Sequence, residues 1–96
     1  MKIIVKKYGG TSVATATKIK NIAKKIAEQS ENNRIVVVLS AMGKTTDQLV
    51  SLAKKCSKNP DSRDYDLLVS TGEQISISLL SMALKDLGKD SIAYTG

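Results

Sequence analysis

Histidine, phenylalanine and tryptophan are absent from these 96 residues, and cysteine and proline occur once each. Each absence removes a class of chemistry. Without imidazole there is nothing to activate a serine or cysteine nucleophile through histidine, and no histidine ligand for zinc. With Cys56 alone no internal disulfide can form, which fits a reducing, cytoplasmic setting. Three tyrosines are too few to stack successive bases of a single strand, so a nucleic-acid partner is not expected. No apolar run is expected to approach membrane-spanning length, and the N-terminus opens on a strand-like segment rather than on a basic region followed by an apolar one. No membrane partner is expected either.

What is present is an aliphatic palette. The 42% apolar fraction rests on Ile, Val, Leu and Ala, residues suited to buried strands and layered helices. The length allows one small domain or part of a larger one. Fifteen Lys plus Arg against nine Asp plus Glu leave a formal charge of +6, which permits an anionic ligand without requiring nucleic acid. The lysines fall in pairs, at 6/7, 24/25 and 54/55, on strand ends and polar helix faces.

The chain is organised around Val5-Lys6-Lys7-Tyr8-Gly9-Gly10-Thr11-Ser12-Val13, where alternation typical of a strand meets two glycines and then a helical pattern. Adjacent glycines leave backbone N–H groups uncovered, and the first turn of a helix adds further unpaired donors. Such a corner suits a phosphate, and Lys7 is placed to reach one of its oxygens. A plain surface turn with a solvated lysine is the alternative.

Beyond it, Ile19, Ile22, Ala23, Ile26 and Ala27 recur at helical spacing and predict a helix over 14–29, capped by Ser12 or Thr15. Ser30 to Asn33 predicts a polar turn in which Asn tolerates left-handed backbone. The run Ile35-Val36-Val37-Val38-Leu39 predicts a strand buried on both faces. Thr45 and Gln48 have capping-box spacing, opening a helix whose stripe is Leu49, Leu52, Ala53 and Cys56. After the proline, Asp61 or Ser62 begins a short helix through Val69. Ser70-Thr71-Gly72 is expected to interrupt it, and Thr71 with Gln74 to start a second, largely buried helix through Leu87, which Gly88 ends. Residues 90–95 predict another strand. The order strand, helix, strand, three helices, strand fits an α/β fold, a three-layer sandwich with a mainly parallel sheet.

Gly43-Lys44-Thr45 imitates the end of a P-loop, but the full motif needs glycine where Val38 stands. The Gly9-Gly10 pair likewise lacks the third glycine of the dinucleotide fingerprint. What remains is a set of polar junctions: Lys7 with Gly9 and Gly10, Ser40 through Thr46, and Thr71-Gly72-Glu73. Phosphoryl transfer needs mainly cationic and N–H donors around the moving group, and these junctions supply them. Hydroxyls of Ser40, Thr45 and Thr46 can orient a small polar substrate, and Glu73 can accept from an ammonium group. Capping is the alternative role for the hydroxyls, and first-turn electrostatics for Glu73.

The segments Lys7 to Val13, Val38-Leu39-Ser40-Ala41-Met42-Gly43, Thr46-Asp47 with Leu49, and Ser70-Thr71-Gly72-Glu73-Gln74 together resemble the amino acid kinase superfamily, and within it the aspartate kinases. The resemblance spans the whole chain; Tyr8 stands where that family usually has Phe. It implies that Lys7 contacts the transferring phosphoryl group, and that Tyr8, Gly9 and Gly10 line the nucleotide phosphates. It also implies that Ser40 sits where phosphoryl group and substrate meet, that Thr46 positions aspartate and that Glu73 engages its ammonium. The implied reaction is ATP plus L-aspartate giving 4-phospho-L-aspartate and ADP, with Mg²⁺ on the nucleotide phosphates, in a homo-oligomeric enzyme. Family members are several times longer, so residues 1–96 are expected to be the N-terminal part of a kinase domain and inactive alone. The competing expectations are a glutamate or acetylglutamate kinase, and a non-catalytic scaffold whose open sheet edge recruits another chain.

Overall fold

The computed structural model describes residues 2–94. Strand β1 (Lys2–Tyr8) is followed by helix α1 (Ala16–Gln29), strand β2 (Asn33–Leu39), helix α2 (Thr45–Cys56) and helix α3 (Ser62–Asp86). The strands form a parallel two-stranded sheet with Lys2 opposite Asn33 and Tyr8 opposite Leu39. With a side-chain period of two, Ile4, Lys6 and Tyr8 share a face with Ile35, Val37 and Leu39. On that face α1 and α3 pack, enclosing Val13, Ile19, Ile22, Ala23, Ile26, Leu39, Leu80 and Leu84. The opposite face carries Ile3, Val5, Val36 and Val38, which are 68%, 63%, 50% and 47% exposed. The expectation that β2 is buried on both faces is therefore met on one only. Among the described residues no helix covers the second face, because α2 packs on α3 and touches neither strand.

Helix α1 starts where its apolar spacing and a cap coincide. The Thr15 hydroxyl accepts from the Lys18 N–H at 3.2 Å. At the other end Ser30 donates from its backbone to Ile26 and from its hydroxyl to Ala27, and the Asn33 amide donates to the Gln29 carbonyl. These bonds satisfy carbonyls that a helix end leaves orphaned. Asn33 thus acts through its side chain and not through left-handed backbone, which among the described residues occurs only at Gly43 and Gly88.

Several expectations are corrected. Helix α2 has no side-chain cap at its start, so Thr45 and Gln48 form no capping box; its Cys56 and Leu52 are exposed, and Leu49 and Ala53 alone of the expected stripe are half-buried. Helix α3 runs unbroken for 25 residues through the expected interruption. Its Ser70 and Thr71 hydroxyls donate back to the carbonyls of Leu67 and Leu68 at 2.8 and 2.7 Å, which lets both residues stay helical. Unbroken, α3 is long and apolar enough to cross a membrane by length and composition, contrary to expectation, although its Gly72, Ser76, Leu80 and Leu84 are buried within the fold. It is also less buried than its composition suggests, with Leu67, Ile75 and Met82 exposed. Finally, residues 90–94 form no strand: Ser91 is held on α3 by a 2.7 Å bond to the Ser81 hydroxyl and a 3.1 Å bond to its carbonyl. Thr95 lies outside the described residues. Gly88, at φ +78°, ends α3 as expected: its N–H bonds to Lys85 and that of Lys89 reaches back to Leu84.

Candidate functional site

At the carboxyl ends of β1 and β2 the chain brings three of the polar junctions together. Tyr8 ends β1, and its carbonyl accepts from the Ser40 N–H at 3.1 Å, so the turns after the two strands start side by side. The Gly10 carbonyl then accepts from the Gly43 N–H at 3.0 Å, tying the glycine corner to the loop of residues 40–44. On the far side of that loop α3 arrives with Gly72. A Cβ there would lie 2.9 Å from the Ala41 Cβ and 3.3 Å from Thr45 Cγ2, so only glycine lets the helix approach this closely.

The two glycines of the corner differ. Neither has a positive φ. A Cβ on Gly10 would press on the Ala41 carbonyl at 3.0 Å, so glycine at that position is explained by packing. A Cβ on Gly9 would meet nothing within 4 Å. Nothing inside the described chain demands glycine at position 9, whereas a ligand lying against the backbone would. The amide N–H groups of Gly10 and Thr11 make no hydrogen bond to another described residue.

Lys7 lies one residue before the end of β1, opposite Val38, and its side chain leaves the sheet on the uncovered face, exposed and without a hydrogen-bond partner among the described residues. Lys6, its neighbour, is half-buried on the covered face. The Tyr8 ring packs against the core, leaving only its backbone toward the corner. Ser40 is exposed immediately after the buried Leu39. Thr46 is exposed in the first turn of α2, while Thr45 is turned toward Gly72 and half-buried. Glu73 is exposed in the middle of α3, which removes a helix start as its explanation. With Ser70, Gln74 and Val38 it borders a cleft of about 320 Å³ beside the end of β2. Among the described residues no three Asp, Glu or Cys side chains converge.

Sequence reasoning missed two contributors. Lys18, in the first turn of α1 and outside the lysine pairs, donates from its ammonium to the Thr11 carbonyl at 2.9 Å. Gly72, taken for a break, is a packing residue; the signal was the spacing Gly72, Ser76, Leu80, Leu84, four small or apolar positions on one helical row, all buried.

Parallel strands joined through a helix, with polar turns gathered beyond their carboxyl ends, define an α/β protein with a polar strand-to-helix corner. The sequence model of the amino acid kinase family matches residues 2–96, and the chain belongs to that family. It is 56% identical to Aspartokinase 2 of Bacillus subtilis (strain 168) and 54% identical to the aspartokinase of Bacillus sp. (strain MGA3), in each case over 100% of this chain and 24% of the relative. The fold matches the crystal structure of aspartate kinase from Synechocystis with a TM-score of 0.93 and 49% identity, covering 96% of this chain and 16% of that one. The chain thus spans about a quarter of the length of these curated relatives.

Proposed function

We propose that these residues are the N-terminal part of an aspartate kinase domain, in which ATP phosphorylates the side-chain carboxylate of L-aspartate to give 4-phospho-L-aspartate and ADP. The observation that carries this reading is the corner itself. Gly9 offers a bare Cβ position facing open space, two amides there are unpaired, and an unpartnered ammonium leaves the same strand end. In the reading, the nucleotide's phosphates lie against the Gly9-Gly10 backbone and accept from the unpaired amides of Gly10 and Thr11, and Lys7 neutralises charge on the γ-phosphoryl as the carboxylate attacks it. Tyr8 contributes backbone only. Ser40 lies between phosphoryl group and substrate, Thr46 orients aspartate, and Glu73 accepts from its ammonium. Mg²⁺ belongs on the nucleotide's phosphates. The names of the relatives support aspartate over glutamate or acetylglutamate as acceptor. A cytoplasmic homo-oligomer acting in amino-acid biosynthesis, at the entry to lysine, threonine and methionine, completes the proposal.

The test is Lys7→Ala in the full-length protein that carries these residues, followed by aspartate-dependent ADP release. Turnover should fall about 10²-fold or more, the scale of losing one preorganised charge at a transition state. Thermal stability should hold, since an exposed strand-end lysine contributes little to the core. Retained turnover, or loss of fold and activity together, would overturn the assignment. The bare sheet face favours a second reading, a scaffold that docks another chain, and that reading predicts no aspartate-dependent ADP release at all.

A further inference from the structure

The turn from β1 to α1 is held by three consecutive carbonyls, each accepting from a different part of the chain. Gly9 accepts from the Ser12 N–H at 3.1 Å, Gly10 from the Gly43 N–H at 3.0 Å, and Thr11 from the Lys18 ammonium at 2.9 Å. In a trans peptide the carbonyl and the following N–H point in opposite directions, so fixing an oxygen fixes where the next amide aims. The Gly10–Thr11 peptide is thereby locked with the Thr11 N–H outward. The Thr11–Ser12 peptide is locked with the Ser12 N–H on the Gly9 carbonyl, and that bond in turn sets the Gly10 N–H. Lys18 is the only side chain among these three donors, and its own backbone N–H is engaged by the Thr15 cap at 3.2 Å. One residue of α1 therefore joins the first helical turn to the last peptide of the corner.

We infer that Lys18 is a positioning residue for nucleotide binding: its ammonium holds the Thr11–Ser12 peptide so that the Gly10 amide stays aimed at the phosphates beside the Thr11 amide, which the Gly43 bond fixes. The inference rests on the reading of this corner as the phosphate site. Without the ammonium, the Thr11 carbonyl turns to water, the 11–12 peptide gains freedom to flip, and ordering of the corner is charged against nucleotide binding. No bond to substrate or nucleotide is assigned to Lys18.

The experiment uses the full-length protein with Lys18→Met, which keeps the aliphatic stem and removes the donor, and Lys18→Arg, which retains a cationic donor of similar reach. For Lys18→Met the nucleotide KM should rise about three- to tenfold, the scale of one solvent-exposed charged hydrogen bond. The aspartate KM and the thermal unfolding midpoint should stay unchanged, and Lys18→Arg should restore the nucleotide KM. An unchanged nucleotide KM in Lys18→Met, a rise in aspartate KM alone, or failure of Lys18→Arg to rescue would overturn the inference. If Lys7→Ala abolishes turnover while Lys18→Met is silent, only the Lys18 role fails. If Lys7→Ala retains turnover, the reading of the corner fails and the inference with it.

Discussion

At the scale of single residues, two neighbouring glycines make opposite predictions. Gly9→Ala places a methyl in open space, so the unfolding free energy should stay within about 0.5 kcal/mol of the parent. If phosphates lie against that backbone, the nucleotide KM of the full-length protein should nevertheless rise about tenfold, as expected for a displaced charged hydrogen bond. Gly10→Ala forces its methyl against the Ala41 carbonyl at 3.0 Å and should destabilise by about 1–3 kcal/mol, the usual range for overpacking. Chemical denaturation combined with initial-rate kinetics separates the two. Equal losses of stability in both variants would remove the argument that glycine at position 9 answers to something outside the chain. The sequence singled out this pair; it did not show that one glycine serves a neighbouring loop and the other faces solvent, because that depends on where Ala41 comes to rest.

At the scale of elements, Gly72 sets α3 against the loop after β2. Gly72→Ala gains about 1 kcal/mol of helix propensity and meets the Ala41 Cβ at 2.9 Å. The obstructing atom is fixed to the backbone and cannot swing away, so the clash should prevail, with a net loss of about 1–2 kcal/mol. Adding Ala41→Gly should recover part of that loss, a coupling measurable in a double-mutant cycle; strict additivity would mean that the helix and the loop do not press on one another. The same element shows why the sequence was only partly legible. Ser70, Thr71 and Gly72 have poor helix propensity and read as a break, yet two of them bond back to their own helix and the third is required by contact with a distant segment. The strands, α1 with its Thr15 cap and the α3 start at Asp61 were legible because periodicity and local capping determine them. The bare sheet face, the exposed Cys56 and the irregular backbone of residues 90–94 were not, since each depends on what packs alongside.

At the scale of the molecule, a two-stranded sheet with one apolar face open is marginal in water. The 96-residue polypeptide expressed on its own should associate in a concentration-dependent way, and Val5→Thr with Val36→Thr should weaken that association without loss of helical signal. Sedimentation velocity with circular dichroism tests it; a monodisperse monomer at high concentration would show that the uncovered valines and isoleucines are tolerated. The same polypeptide should release no aspartate-dependent ADP, because it spans only about a quarter of the length of the aspartokinases it matches.

The pleat of β1 gives its two lysines separate fates. Lys7 projects into solvent beside the glycine corner, and Lys6, one position earlier, is half-buried beneath the helices. Inserting or deleting a single amino acid between Lys2 and Tyr8 would exchange their directions while leaving composition and net charge almost untouched. The number of residues in this strand is thus as much a determinant of which amine stands beside the glycines as the identity of either lysine.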